Sequence, residues 1–306
     1  MLVSMAFNKL LIVECDLGGF KQGASQGGAA VVLQLKNKPK LLNIIKTPNC
    51  ILRKSSTPQA HYLDEINQCI ESLSKEVSDF LQENGDEKLI VFSGDHSTAC
   101  GTLAGVKNAY PNKRIGAIWI DAHADINSPY TSDSGNMHGM PVAAAMGFDH
   151  KEIAINKLNN ITYSLWESTK SICNKAIHPD DFVYIGIRDL DKIEWDIIDQ
   201  HNIKYYSVED VKLAGGANIA QQTLDYLSLC DFIYISFDID SLDSSLVPGT
   251  GMPADNGLSL DCVNSLFDTL LRSKKIKALE VVEVNPLLDS NNKTTKTIAS
   301  LLDNFM

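Results

Sequence analysis

Residues 115–140 read IGAIWIDAHADINSPYTSDSGNMHGM, and the fold turns on how this stretch is understood. Ile115 to Ile120 form a strongly apolar run, as expected of a strand buried on both faces of a sheet. Asp121, His123 and Asp125 then occupy alternate positions just past the strand's end. In extended backbone, alternate side chains point the same way, so three metal-type ligands aim at one place. Thirteen residues beyond Asp125 stands His138, bracketed by Gly135 and Gly139. Asn127, Ser128, Ser132 and Ser134 lie between, a polar loop suited to a small polar ligand. For a single Asp-x-His, a solvated loop with incidental Asp and His would be the simpler reading. Two further ligand-bearing stretches elsewhere in the chain weigh against it.

Working outward, apolar runs alternate with helical patterns. Strands are expected at Lys9 to Cys15, Leu41 to Ile45, Lys88 to Phe92, Asp181 to Ile187, Lys204 to Tyr206, Asp231 to Phe237 and Ile276 to Val282. Residues 22–29, rich in Gly, Ser and Ala, read as a loop leading into a helix. Leu63, Ile66, Ile70, Leu73, Val77, Phe80 and Leu81 have helical spacing within His61 to Glu83, ended by Gly85-Asp86. Ser97 is a candidate N-cap for a helix running on through Leu103 to Tyr110. Further helices are expected at Gly139 to Gly147, entered through Pro141, and at Glu194 to Gln200, Ile219 to Leu229, Leu258 to Leu271 and Thr294 to Asn304. Ser259 is a possible cap for the fourth of these. Continuously apolar strands alternating with helices predict an α/β fold, a three-layer αβα sandwich with a mostly parallel central sheet. No linker, repeat or low-complexity tract interrupts residues 1–306, which predicts a single domain. Ligands in such sheets bind outside the carboxyl ends of the strands, where each acidic cluster falls.

The chain has 306 residues and a net charge of -11, which argues against a nucleic-acid surface and against anionic membranes. The amino-terminal apolar run, Leu10 to Val13, is too short for a signal core, and no run approaches the roughly 20 residues of a membrane span. Seven cysteines, at 15, 50, 69, 100, 173, 230 and 262, lack the short paired spacings of a disulfide framework or zinc ribbon. Reduced, buried thiols and a cytoplasmic location are expected.

Three strand ends carry the chemistry: His96; Asp121, His123 and Asp125; Asp238 and Asp240. Converging carboxylates without cations would repel and raise one another's pKa values. Two divalent ions would balance the charge, some carboxylates bridging. An oxygen-rich set with some nitrogen and no sulfur suits manganese, with iron, cobalt or nickel as possible substitutes. Such a pair of ions lowers the pKa of a bridging water, which predicts metal-assisted hydrolysis. Taken singly, Asp238 and Asp240 are more often an acidic turn and His96 a helix-entry residue. Three strand ends together make that coincidence improbable.

These residues resemble the ureohydrolase family, and within it the arginases. Ser93-Gly94-Asp95-His96-Ser97, Asp121-Ala122-His123-Ala124-Asp125, Ser236-Phe237-Asp238-Ile239-Asp240 and Glu283-Val284-Asn285-Pro286 are similar to its motifs, with Ser93 where glycine is usual. The resemblance implies one manganese on His96, Asp121, Asp125 and Asp238, and a second on His123, Asp121, Asp238 and Asp240. It also implies hydrolysis of L-arginine to L-ornithine and urea by a metal-bridging hydroxide. Glu283 would then hold the guanidinium, Asp125 would accept from the hydroxide, and His138, in a flexible loop at the mouth, would shuttle protons with a near-neutral pKa. Asn127, Ser134 and Asn136 would face the substrate's carboxylate; Asp191 and Glu194 would face its amino group. Without the resemblance, Ser134 and Asn136 read as turn residues and Asp191 as a helix-start acid. A homo-oligomer, trimer or hexamer, is implied as well.

The chain departs from the family pattern in places. Met252 stands where threonine is usual, Gly23 to Gly28 lack a Gly-Pro, and Asp261 and Cys262 replace charges that often join subunits. Met252 leaves open a different guanidino substrate, such as agmatine or guanidinobutyrate. A non-catalytic binding protein on the same fold is a third reading, disfavoured because all six ligand positions, His138 and Glu283 are retained.

Overall fold

A computed structural model describes residues 7–48, 54–85, 87–289 and 291–306; Cys50, Asp86 and the first residues of the chain lie outside the described residues. The apolar runs form strands β1 (Lys9–Glu14), β2 (Lys40–Lys46), β3 (Leu89–Ser93), β4 (Ile115–Ile120), β5 (Phe182–Ile187), β6 (Lys204–Ser207), β7 (Phe232–Asp238) and β8 (Ile276–Val282). They join in one sheet of order β2-β1-β3-β8-β7-β4-β5-β6. Every pairing among the described residues is parallel, so the sheet is wholly rather than mostly so.

Among the described residues ten helices cover the sheet: α1 (Gly27–Gln34), α2 (Leu63–Glu83), α3 (Ala99–Ala109), α4 (Pro141–Met146), α5 (Asn160–Cys173), α6 (Lys192–Gln200), α7 (Val208–Ala214), α8 (Gly216–Tyr226), α9 (Leu260–Leu270) and α10 (Lys293–Leu302). Alternate strand residues feed two cores. Leu11, Val13, Ala117 and Trp119 pack under α2 to α6, while Leu10, Ile12, Ile118 and Ile120 pack under α1 and α7 to α10. Burial on both faces explains why the inner strands read as apolar runs, whereas in the edge strand β2 only Ile45 is buried.

Two helices were not expected. In α5 the buried face is Thr162, Trp166, Thr169 and Cys173, too polar to show as an apolar stripe. In α7 only Val208 and Val211 are buried, under a reciprocal cap between Ser207 and Asp210. The expected cap at Ser97 is also corrected. Asp95, the last extended residue, caps the short turn His96–Thr98 that leads into α3 by accepting from the Ser97 amide at 2.9 Å, and no side chain caps α3 itself. Ser259 does cap α9, accepting from the Cys262 amide.

The order of the strands positions the site. β3, β8, β7 and β4 are consecutive neighbours at the sheet's centre, so their carboxyl ends open side by side. Strands lie about 4.8 Å apart, which brings four loops scattered over the sequence within roughly 15 Å. Close backbone contact holds the loops at this spacing. Asp95 donates its amide to the Cys15 carbonyl at 2.9 Å, and Glu283 donates to Gly94 at 2.8 Å. A Cβ on Gly94 would lie 1.9 Å from the Cys15 carbonyl oxygen. Gly94→Ala is therefore expected to cost about 3 kcal/mol or more, because backbone must move to admit the methyl group. Denaturant unfolding should register the loss; an unchanged midpoint would refute the close-packing account.

Candidate metal centre

Each strand end is shaped by the same local device. The carboxylate of the first aspartate accepts from the backbone amide two residues on. Asp95 does so with Ser97, Asp121 with His123 at 2.7 Å, and Asp238 with Asp240 at 2.8 Å. Residues 121–125 are thus a turn, not the extended segment expected, and Asp125 is left-handed with φ 53°. Convergence comes from the turn. In Asp121 and Asp238 one oxygen is fixed by the backbone and the other faces His96, whereas the second oxygen of Asp95 accepts from the Gly18 and Gly19 amides.

The His96 Nδ1 atom lies 2.8 Å from Asp125 Oδ2 and 3.2 Å from an oxygen of both Asp121 and Asp238. His123 Nδ1 is 3.1 Å from Asp240 Oδ2 and 3.5 Å from Asp121 Oδ1. Two overlapping clusters emerge, His96–Asp121–Asp125 and Asp121–His123–Asp240, sharing Asp121. His96 Nδ1 and Asp125 Oδ2 are buried and make no hydrogen bond despite their closeness. An imidazole nitrogen facing three carboxylates without bonding any of them is the arrangement a cation occupies. The donor set, four carboxylates and two imidazoles, fits two divalent ions on charge and chemistry.

Electrostatics agree. Burial and then Asp240 and Asp121 push Asp238 well above the carboxylate range. Burial raises Asp240 to about 6 with help from Asp121, although His123 opposes it. Burial opposes charging of His96, but Asp125, Asp121 and Asp238 outweigh it and raise its pKa well above the usual value. The metal-free cluster thus retains protons that divalent ions would displace.

Around the cluster lies a cavity of about 540 Å³, lined by the expected Asn127, Ser134, Asn136, His138, Asp191, Glu194 and Glu283. Asn127 accepts from Thr131 through its carbonyl oxygen, which leaves its amide hydrogens for a ligand. Ser134 accepts from the Asn136 amide, which leaves its hydroxyl free to donate. Glu194 takes the Asp191 amide at 3.2 Å, and burial followed by the charge of Asp125 raises it to about 8. Phe20, Asp133 and Met252 also line the cavity; Phe20 and Asp133 carried no signal in the sequence.

His138 differs from expectation. It sits in a short helical turn, Met137–Gly139, with its Nδ1 3.0 Å from Glu283 Oε1. Burial lowers its pKa, but Glu283 outweighs this and lifts it to about 9. The imidazole is paired with a carboxylate rather than loose at the mouth. Glu283 is 5% exposed, holds the left-handed φ of 64°, and also accepts the His96 amide at 3.0 Å. Left-handed backbone at Asp125 and Glu283 costs roughly 1–2 kcal/mol each, strain that positions both carboxylates. Its burial rules out a role for Glu283 as a solvated surface acid.

Arg188 was passed over in the sequence, where only its neighbours drew notice. Its guanidinium donates to the carbonyls of Gly186, Asp240, Ser241, Leu242, Ala254 and Asp255, at 2.8 to 3.3 Å. It staples the loop that carries Asp240 and Met252 to the end of β5.

Fold and site together define an α/β protein built to hold two cations at the carboxyl edge of a parallel sheet. The model of the Arginase family matches residues 9–306, and the chain belongs to that family. The arginase of Bacillus subtilis (strain 168) is 37% identical over 236 residues, covering 77% of this chain and 74% of that protein. The structure of Entamoeba histolytica arginase in complex with L-ornithine superposes with a TM-score of 0.85 at 29% identity, covering 98% of this chain and 99% of that one. The native arginase structure from Bacillus caldovelox gives 0.84 at 32% identity, covering 97% of each chain.

The site makes two predictions. Arg188→Met strands several loop carbonyls and should lower stability by about 2 kcal/mol; lysine, with fewer donors, should recover only part in the same unfolding assay. In metal-free protein, the raised His138 pKa means that its pairing with Glu283 stabilises fully below about pH 6.5 and is lost as pH rises through about 9. Unfolding midpoints of the parent and His138→Asn should therefore differ most near pH 6 and converge above pH 9. A gap that does not depend on pH would disprove the pairing.

Proposed function

We propose that the chain is a dinuclear manganese arginase, hydrolysing L-arginine to L-ornithine and urea. The observation that carries this reading is His96 Nδ1 facing three carboxylate oxygens without a hydrogen bond, at the floor of a cavity lined by Glu283, His138 and the polar loop. His96, Asp121, Asp125 and Asp238 would hold one ion, and His123, Asp121, Asp238 and Asp240 the other. When bound, the two ions supply a water acidic enough to act as a nucleophile near neutral pH. Oxygen-rich donors favour manganese, with cobalt, nickel or iron able to substitute.

The chain's own groups do the positioning. Glu283 offers a carboxylate to the guanidinium, which resonance makes a poor electrophile until it is held in place. Arriving substrate would replace His138 as the partner of Glu283. Released from that carboxylate, the imidazole stands where it can give a proton to the departing amine. Asp125 can accept a proton at the floor of the cavity. Asn127, Ser134 and Asn136 would take the substrate's carboxylate, while Asp191 and Glu194 would take its ammonium. Glu194, pushed to about 8 by burial and Asp125, would ionise when a cation arrives beside it.

The family match across residues 9–306 supports one ureohydrolase domain for the chain. Free cysteines, five of them buried among the described residues, support a reducing cytoplasm. Homo-oligomeric assembly, trimer or hexamer, completes the reading.

Urea release should be measured on L-arginine, agmatine and guanidinobutyrate, with manganese, cobalt and nickel compared. Arginine with manganese is expected to be fastest. Urea from agmatine or guanidinobutyrate but not from arginine would transfer the assignment to another guanidino substrate, to which Met252, 42% exposed at the cavity wall, would be the pointer. Asp238→Ala should abolish both metal retention and activity; retained activity would overturn the ligand assignment.

A further inference from the structure

The polar loop that walls the cavity has no helix or strand of its own between Asn127 and Asn136. Its shape is set from behind, and Asn156 is the centre of that support. The Asn156 side chain donates through Nδ2 to the carbonyl of Pro129 at 3.1 Å and to that of Ser132 at 2.6 Å. The backbone amides of Ile155 and Asn156 both reach the Tyr130 carbonyl, at 2.9 and 3.0 Å. Three carbonyls of one turn are thus tied to two consecutive residues far along the chain. Asn156 is half-buried and does not line the cavity. The far end of the loop is held as well. The Gly135 carbonyl accepts the His61 amide at 2.7 Å, and a Cβ on Gly135 would lie 2.3 Å from the Pro58 carbonyl oxygen.

A side-chain amide has two hydrogens to give, and Asn156 spends both on this turn. The bridge sets the separation of residues 129 and 132, and two local bonds pass that setting to the cavity side. Thr131, inside the turn, donates its hydroxyl to Asn127 Oδ1 at 2.8 Å, which turns the Asn127 amide hydrogens the other way. Ser132 accepts the Gly135 amide on its hydroxyl at 3.0 Å, closing the turn that presents Ser134. Asn127 and Ser134 therefore flank the clamped segment. Donors that share one carboxylate must be placed to within about 0.5 Å, so their spacing matters more than their presence. The floor of the cavity is built differently: it stands on the ends of β3, β4, β7 and β8, each shaped by its own backbone bonds.

We propose that Asn156 is a positioning residue for substrate selection: by bridging the Pro129 and Ser132 carbonyls from behind the loop, it sets the spacing of the donors that take the carboxylate of an amino-acid substrate. The inference rests on the reading of Asn127 and Ser134 as that carboxylate's partners. Asn156 touches no substrate atom and acts through the backbone of the turn. Its loss should therefore weaken the grip on the carboxylate while leaving the guanidinium end and the chemistry at the floor as they were. A residue that merely pinned a surface loop would have no such preference for one end of the substrate.

The test is steady-state urea release from L-arginine by manganese-loaded protein, with agmatine, its counterpart without the carboxylate, added as a competitor so that it need not be turned over. Asn156→Ala should raise KM for arginine about 10-fold, the scale of a weakened hydrogen bond to a charged group, with kcat within about twofold of the parent. The inhibition constant of agmatine should stay within about twofold. Asn156→Asp, of the same size but able only to accept, faces two carbonyl oxygens and should be at least as severe. Asn156→Gln, which keeps both donors on a longer arm, should recover part of the loss. Should Asn156→Ala fail to fold in a thermal unfolding assay, Thr131→Val decides: it cuts the tie to Asn127 and should give the same selective rise. Equal losses for arginine and agmatine, a fall in kcat alone, or an unchanged KM in folded variants would overturn the proposal and leave the arginase reading standing. Absence of urea from arginine with the parent would remove both before any variant is compared.

Discussion

Four carboxylates and two imidazoles packed into one buried volume are mutually unfavourable without compensating positive charge, and much of the structure is arranged to hold them there. Backbone amides two residues on fix Asp121 and Asp238, the Trp119 indole donates to Asp121 at 3.0 Å, and the amide of Ala122 donates to Asp240 at 3.2 Å. Left-handed backbone at Asp125 and Glu283 adds strain, which the surrounding packing must offset. None of these bonds requires a cation, so the cage is formed by the protein and its charge is what two divalent ions would balance.

The sheet was legible because its inner strands are buried on both faces and its edge strand β2 is still an apolar run. Every strand expected from an apolar run was found, most within a residue or two of its bounds, and the bounds of β8 were met at both ends. Helices with a wide apolar stripe, such as α2, were equally plain. The two that escaped notice bury threonines or only a couple of valines, and periodicity has no purchase on such faces. Strand order was beyond the sequence entirely. Nothing in residues 276–282 says that the strand inserts between β3 and β7, because position in a parallel sheet is set by which crossovers pack.

At the site, the chemical identity of the candidate ligands was readable from residue type and spacing, but the geometry behind it was misjudged. Asp121, His123 and Asp125 converge through a turn rather than through the pleat of a strand. His138 looked free because glycines flank it; its partner, Glu283, lies 145 positions away. Arg188 looked like one more charge after a strand, whereas its bonds to six backbone carbonyls make it a framework element. For His138 and Arg188 the deciding contacts join distant parts of the chain, which a local reading of residues does not reach.

The insertion of β8 at the sheet's centre has a consequence for how the molecule comes into being. During synthesis β3 emerges long before the strand that joins it to β7, while β7 is the strand made directly before it. Until residues 276–282 are available, the chain can form a β2-β1-β3 group and a β7-β4-β5-β6 group, each with an unsatisfied edge where β8 belongs. Exposed apolar edges of this kind are prone to wrong pairing. The hydrogen bonds from Ser93 in β3 and Tyr234 in β7 to Glu280 in β8 form only when that gap closes, so the last strand to be made is also the one that unites the two halves of the sheet behind the candidate centre.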